Sequence, residues 1–463
     1  MKPIITKALL VLLTTIGWAA DASAQSAIYV GGHIRRNRPS TIATLRNSGF
    51  TNVILFNVSV EADGTLKTDG ETICQNGKYV FGTLQTNEAN YVTDIQNLKL
   101  PPTGVNRIEI CVGGWGNSSF SNIKSLIATY GTGKTTLLYR NFKALVDTLK
   151  VVDAVNNDDE QCYDLPTAVK FHTMMYDLGL HSTLSPYTNM SFWKNLVTQL
   201  NAARPGACDL ITLQCYAGGA GNNPSDWQMP GVTMWAGCMN EGDENKAPEE
   251  SKMISWRDNN NVKGCALWLY NQEGWNLNAW AATMNRVYGA KTTTQGVATF
   301  YSDINYGGYA VQLPTGEFPM PEMALYGIKA ADISSLKIND GYKVTLYKRN
   351  VCLGTAVSLV TTLTASTEYV GDSWNDATNA IKIESVVNDI NDVKTTSHTH
   401  SIVFNAATGE ITVSHDCGLR VNIFDLAGRR LLSSKESRIS LGALAKGTYI
   451  VRAGNYSQKI VKP

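Results

Sequence analysis

The feature that most constrains this chain is a rhythm. Over residues 25–289, short apolar runs at 27–30, 53–56, 108–112, 151–155, 182–185, 210–213, 232–235 and 265–268 alternate with longer helix-patterned stretches. Runs of that length read as strands. Strands separated by helical stretches are expected to be parallel, because a crossover helix returns the chain to the same end of the sheet. Eight such units match a closed barrel, so the expected fold is α/β, a (β/α)8 TIM barrel over residues 25–290.

The chain has 463 residues, which leaves room for further units on either side. Residues 1–24 read as a signal peptide. Lys2 and Lys7 precede an apolar run from Ala8 to Ala20, and Ala22-Ser23-Ala24 supplies small residues for cleavage before Gln25. The expected location is therefore secreted or cell-surface. That run is too short to span a bilayer, and no later run is long enough, so no transmembrane span is expected. A formal net charge of +1 gives no basic field for nucleic acid. Nine cysteines are present without a CxxC pair, which argues against a zinc site. Cys111, Cys215 and Cys265 fall inside or beside apolar runs and read as buried free thiols; Cys417 lies in the tail.

From about residue 296 the helical patterns stop. Tyrosine, glycine and β-branched residues take over, and a unit repeats. Tyr301, Gly308 and Val311 align with Tyr347, Gly354 and Val357, and the segment from Ile333 aligns with that from Thr378. Two copies of an all-β unit packed as a sandwich are expected over 296–385. Residues 386–401 read as a polar linker in which His398 and His400 are solvated. Short alternating strands return over 402–463. The segment Tyr130–Thr136 (YGTGKTT) imitates a phosphate loop, but Ala128 stands where the pattern needs glycine, so Lys134 reads as a solvated loop residue.

The chemistry concentrates in VDAVNNDDEQ, residues 152–161. Side chains alternate along a strand, so Asn156, Asp158 and Glu160 share a face. On the fourth strand of a barrel that face is the interior, and Glu160 emerges at the C-terminal mouth, where barrel active sites lie. Inward carboxylates are costly to bury unless hydrogen-bonded, a cost that acid–base chemistry explains. The competing reading is a solvated acidic loop.

Asp153, Asn156, Asp158 and Glu160 resemble the DGxDxDxE motif of family 18 glycoside hydrolases. Further motifs follow in the family's order. These are AIYVGG with Tyr29, CVGGWG from Cys111 to Gly116, LSPY from Leu184 to Tyr187, LQCY with Gln214 and Tyr216, and ALWLYN with Trp268. The resemblance covers nearly all of 25–289. It implies a chitinase-like hydrolase of β-1,4-linked N-acetylglucosamine, acting by substrate-assisted, retaining catalysis with no cofactor. Under it Glu160 is the acid and then the base. Asp158 orients the substrate acetamide, Tyr216 bonds its carbonyl, and Asn156 belongs to the same catalytic set. Tyr29, Phe56, Gln214 and Trp268 bind substrate, with Trp268 as a stacking floor. The partner is then an N-acetylglucosamine polysaccharide or a glycoprotein glycan.

The chain departs from the family at Asn156, Ala154 and Cys111, which replace aspartate, glycine and serine. Asn156 can donate to Asp158 but cannot accept its proton. An aspartate restored there is expected to raise activity or move its pH optimum. Two alternatives stay open: an endo-β-N-acetylglucosaminidase on N-glycans, whose members also show DDE, and a catalytically weak barrel that only binds glycans.

The repeated β unit resembles the βγ-crystallin fold through FYSDINYGGYAVQL and TLYKRNVCLGTAVSL. Some members bind calcium, and that resemblance puts Asp376 and Ser334 forward as ligands of one Ca²⁺. The tail resembles the type IX secretion sorting domain through VNIFDLAGRRLL, KGTYIVR and the terminal QKIVKP. It implies the type IX machinery as a partner and removal of the tail.

Overall fold

The computed structural model describes residues 25–83, 88–241, 243, 246–270, 277–293, 295–348, 359–386, 402–405, 408–413, 421–425, 429–436, 438–453 and 456–462. The signal peptide, most of the 386–401 linker, Cys352, Cys417 and the repeat positions Gly354 and Val357 lie outside them. Eight strands close into a parallel barrel. They are β1 (Ser26–Val30), β2 (Asn52–Leu55), β3 (Arg107–Gly113), β4 (Ala154–Asp158), β5 (His181–Leu184), β6 (Cys208–Gln214), β7 (Thr233–Met239) and β8 (Cys265–Tyr270), in sequential order with β1 against β8. Outward residues such as Ile28, Val53, Ile110 and Val155 pack under the helices. Inward residues such as Tyr29, Ile54, Cys111, Leu210 and Trp235 fill the lumen.

The strand positions differ from the sequence reading in one informative place. The fourth strand runs 154–158, not 151–155. Lys150 ends the preceding helix in the left-handed region, and Asp153 spends its side chain on the strand's entry. Its Oδ2 accepts the Ile108 N–H at 2.7 Å and the Lys99 ammonium at 2.5 Å. Two features lack a counterpart in the simple alternation. Residues 58–79 form a four-stranded antiparallel sheet against the helices Ser119–Tyr130 and Leu137–Leu149. Between β6 and β7 the chain makes only short 3-10 turns. In the phosphate-loop imitation, Thr136 caps the next helix by accepting the Tyr139 N–H, and Lys134 is exposed.

The second unit packs a three-stranded sheet against a four-stranded one. Its strands are β9 (Ala298–Tyr301), β10 (Ala310–Leu313), β11 (Gly316–Phe318), β12 (Ser335–Ile338), β13 (Tyr342–Tyr347), β14 (Val360–Leu363) and β15 (Ala380–Ser385). The two repeats are not separate sheets. β11 of the first copy adds to β15 of the second, and Thr367 of the second bridges to Leu336 of the first. Each half therefore completes the other's core. The tail forms a small pair of antiparallel sheets around Ile411, Ile423 and Val451. No helix among the described residues is long and apolar enough to cross a membrane.

The sandwich docks on the barrel through its helix Met320–Leu325. That helix lies over residues that precede strands. A Cβ on Gly49 would stand 2.2 Å from the Ala324 Cβ, and one on Gly104 would stand 3.0 Å from Leu325 Cδ2. The sandwich thus covers the barrel end opposite the mouth. Asn285, fully buried on the helix Leu277–Tyr288, ties the joint together. Its Nδ2 donates to Gly49 O at 2.8 Å and Ala324 O at 3.0 Å, while its Oδ1 accepts from Ser26 Oγ at 2.8 Å. Arg286 adds a two-pronged bond to Glu250, a bond to Gly327 O, and a stack 4.0 Å over the Tyr309 ring. Asn285→Ala strands Gly49 O and takes one partner each from Ala324 O and Ser26 Oγ, which keep bonds from the Gly327 N–H and with Thr51, and is expected to cost about 2 kcal/mol. Urea unfolding checks this, and an unchanged midpoint would show the joint to be held by other contacts.

Candidate active site

The C-terminal ends of the strands surround a pocket of about 650 Å³. Phe56, Asp158, Glu160, Gln214, Tyr216 and Trp268 line it, six residues that the sequence had put forward. Its wall also includes Trp115, Tyr187, Met239 and Glu241. Trp115 is 88% exposed at the rim, and its signal was an indole between glycines in GGWG. The described lining residues include three acids and no base.

Asp158 ends β4 and points inward, 3% exposed. Its approach to β3 explains the double glycine there. Asp158 O accepts the Gly114 N–H at 2.7 Å, and a Cβ on Gly113 would stand 2.2 Å from that oxygen. Gln214 Nε2 donates to Asp158 Oδ1 at 3.1 Å and to Ser185 O at 3.0 Å. Asp158 and Glu160 hydrogen-bond each other. Burial, then the Glu160 charge, push Asp158 well above the usual carboxylate range. Burial raises Glu160 too, against the bonds from Gln214 and Asp158. Two carboxyls in contact cannot both ionise cheaply, so the pair keeps one proton to a higher pH than a lone carboxylate does.

The residue between them has a different task. Asp159 is buried and turned away, and its carboxylate accepts the N–H groups of Gln161, Cys162 and Tyr163 at 3.1, 2.8 and 2.8 Å. That clamp fixes the turn bearing Glu160. Behind β4, Asn157 meets His172 Nε2 at 2.8 Å, and His172 Nδ1 meets Ser182 Oγ at 2.8 Å. Burial pulls His172 down to about 3, so the ring is neutral; facing an amide donor at Nε2, it carries its proton on Nδ1.

Trp268 sits edge-on to Phe56 at 4.7 Å and beside Tyr29 at 5.3 Å, and its Nε1–H donates to Glu241 Oε2 at 2.9 Å. Tyr216 lies across β7, where Gly237 leaves room: a Cβ there would stand 2.7 Å from its ring.

Two assigned residues fall elsewhere. Tyr29 does not line the pocket. It is buried beneath it, with its hydroxyl on Ser185 Oγ at 2.7 Å and Thr212 Oγ1 at 3.1 Å, because an inward residue in the middle of β1 lies a layer below the mouth. Asn156 is fully buried in that layer and does not donate to Asp158. Its Nδ2 donates to Glu109 Oε2 at 3.1 Å, and its Oδ1 accepts from Ser185 Oγ at 2.9 Å. Cys111 is buried beside these acids, and burial holds its thiol protonated. All seven cysteines among the described residues are free. In the sandwich, Ser334 Oγ and Asp376 Oδ1 stand 3.5 Å apart, and Ser334 also donates to Ser302 O at 2.8 Å.

Fold and site together define an α/β barrel protein with a carboxyl pair in an aromatic pocket, followed in the chain by two all-β units. Residues 404–463 match the family described as a secretion system C-terminal sorting domain. No curated protein matches the chain. Solved structures similar to it include a betagamma-crystallin domain from Clostridium beijerinckii, at 31% identity over 20% of this chain and 99% of that one, TM-score 0.18. Another is a betagamma-crystallin domain from Flavobacterium johnsoniae, at 28% identity over 19% and 94%, TM-score 0.18.

Proposed function

We propose that the barrel is a TIM barrel of the family 18 glycoside hydrolase type, and that it hydrolyses β-1,4-linked N-acetylglucosamine chains. The observation that carries the reading is the carboxyl pair Asp158 and Glu160, set at the mouth of β4 in the pocket that the Trp268 indole also lines. A sugar's apolar face stacks on Trp268. The acetamide oxygen of the bound unit attacks its own anomeric carbon while Glu160 passes its proton to the leaving oxygen. An oxazolinium forms; Asp158 holds its N–H and Tyr216 orients the acetamide. Water then gives a proton to the Glu160 carboxylate and attacks the same carbon, restoring the acetamide with retained configuration. Glu241, the other lining carboxylate, is engaged by Trp268.

The sandwich completes the reading as a βγ-crystallin-type module. Asp376 and Ser334 would hold one calcium ion there. Asn375 Oδ1 and Thr378 Oγ1, buried with no hydrogen-bond partner, are oxygen donors on the same turn that suit a hard cation. The tail is proposed to direct passage through the type IX machinery and then to be removed, giving a secreted or surface protein. A secreted form still ending at Pro463 would contradict that.

The test of the activity is a panel of chitin oligomers and a high-mannose glycoprotein. Cleavage of the oligomers supports the chitinase-like reading. Release of the N-glycan alone assigns the endo-β-N-acetylglucosaminidase alternative. Binding without cleavage of either makes the barrel a glycan-binding protein.

A further inference from the structure

The lumen below the pocket holds a charged network that the proposed reaction does not use. Glu109, on β3, is fully buried. Its Oε1 accepts from Asn52 Nδ2 at 2.9 Å, Arg107 Nε at 2.6 Å and Thr183 Oγ1 at 2.9 Å. Its Oε2 takes the Asn156 amide. Arg107 in turn grips Asp209 with two bonds, at 2.8 and 2.9 Å. Asn156 is therefore held between a carboxylate below and hydroxyls above. Its N–H side can only face Glu109, so its oxygen must face Ser185 and Tyr29.

We infer that Glu109 is a positioning residue for the catalytic strand, and that residues 109 and 156 form an exchangeable acid–amide pair. This rests on the hydrolase reading for its catalytic consequence. By engaging the Asn156 N–H, Glu109 keeps that amide from Asp158 and leaves Asp158 paired with Gln214 and Glu160. The asparagine at 156 is thus the complement of Glu109. An aspartate placed there alone meets a second carboxylate at about hydrogen-bond distance in a dry lumen, where one of the two must stay protonated.

The other groups around the pair come from each neighbouring strand. They are Arg107 and Cys111 on β3, Asp158 on β4, Asp209 on β6 with His181 of β5 at 3.6 Å, and Tyr29 on β1. Arg107 is the nearby cation, and it is already shared between Glu109 and Asp209. It cannot neutralise a third carboxylate.

The test is a double-variant cycle with two readouts. Asn156→Asp is expected to lower the apparent melting temperature at pH 7 by about 10 °C, the loss typical of an uncompensated buried charge. A shared proton has a raised folded-state pKa. The variant is therefore nearest the parent at about pH 4 and falls away as pH rises through that pKa. Adding Glu109→Gln reverses the donor and acceptor, and is expected to recover most of the loss. Glu109→Gln alone turns the Asn156 amide round. It is expected to lower kcat about tenfold with KM unchanged, and the double variant is expected to restore it. Additive melting shifts, or an Asn156→Asp protein as stable as the parent at pH 7, overturn the pairing. Restored stability without restored kcat overturns the positioning role. The melting readout needs no substrate, so coupling in a protein that cleaves nothing supports the pair while the hydrolase reading fails.

Discussion

Glu160→Gln is expected to lower kcat/KM by about a thousandfold or more while leaving the fold and glycan binding in place. The glutamine keeps the shape of the side chain, and its amide can still donate to Asp158. It cannot deliver a proton to the leaving oxygen, and general acid catalysis is worth about 10²–10⁴ in rate, used twice in the proposed cycle. Glu160 is only half buried, so its exchange leaves no stranded charge and the variant should unfold no earlier than the parent. Binding can be followed by the fluorescence of Trp115 and Trp268, which line the same pocket. Glu241→Gln is the internal control. Glu241 is hydrogen-bonded to Trp268 and has no assigned proton transfer, so most activity should remain. Loss of turnover in Glu241→Gln but not in Glu160→Gln would move the acid to the other side of the pocket.

Asp158→Asn is expected to lower kcat about a hundredfold and to move the alkaline limb of the pH profile downward. The first effect follows from losing the negative charge that offsets the oxazolinium, a loss comparable to deleting one preorganised electrostatic partner. The second follows from the pair. In the parent, removing the last shared proton creates a second charge beside the first, in a buried site, so that proton is held to higher pH. With asparagine at 158, Glu160 ionises without that repulsion, and the acid form is lost sooner as pH rises. An unchanged alkaline limb on a chitin oligomer would show that the two carboxyls do not titrate together.

Much of this arrangement was legible in the sequence because it is local. The eight apolar runs are short and bounded by helix-patterned stretches, and each overlaps a barrel strand. The alternation put Asn156 and Asp158 on one face of the strand, and Glu160 follows just past its end, where it lines the pocket with Asp158. The errors came where side chains decide against the hydrophobic pattern. Val151 and Val152 are apolar, yet the strand begins only after Asp153 has used its carboxylate to close the entry. What the sequence could not disclose is non-local. Glu109 meets Asn156 only because β3 and β4 pair with Glu109 opposite Ala154, and it meets Asn52 and Thr183 from two further strands. The exchange of β11 between the repeats is of the same kind.

In the proposed reaction the cleaved sugar supplies its own nucleophile. The measurement that bears on it most directly compares N-acetylglucosamine oligomers with cellulose oligomers of equal length, with the products followed by proton NMR from the first minutes. Cleavage of the N-acetylated chains alone is expected, with the β anomer formed first. Comparable cleavage of cellulose oligomers, or an α anomer as first product, would contradict it.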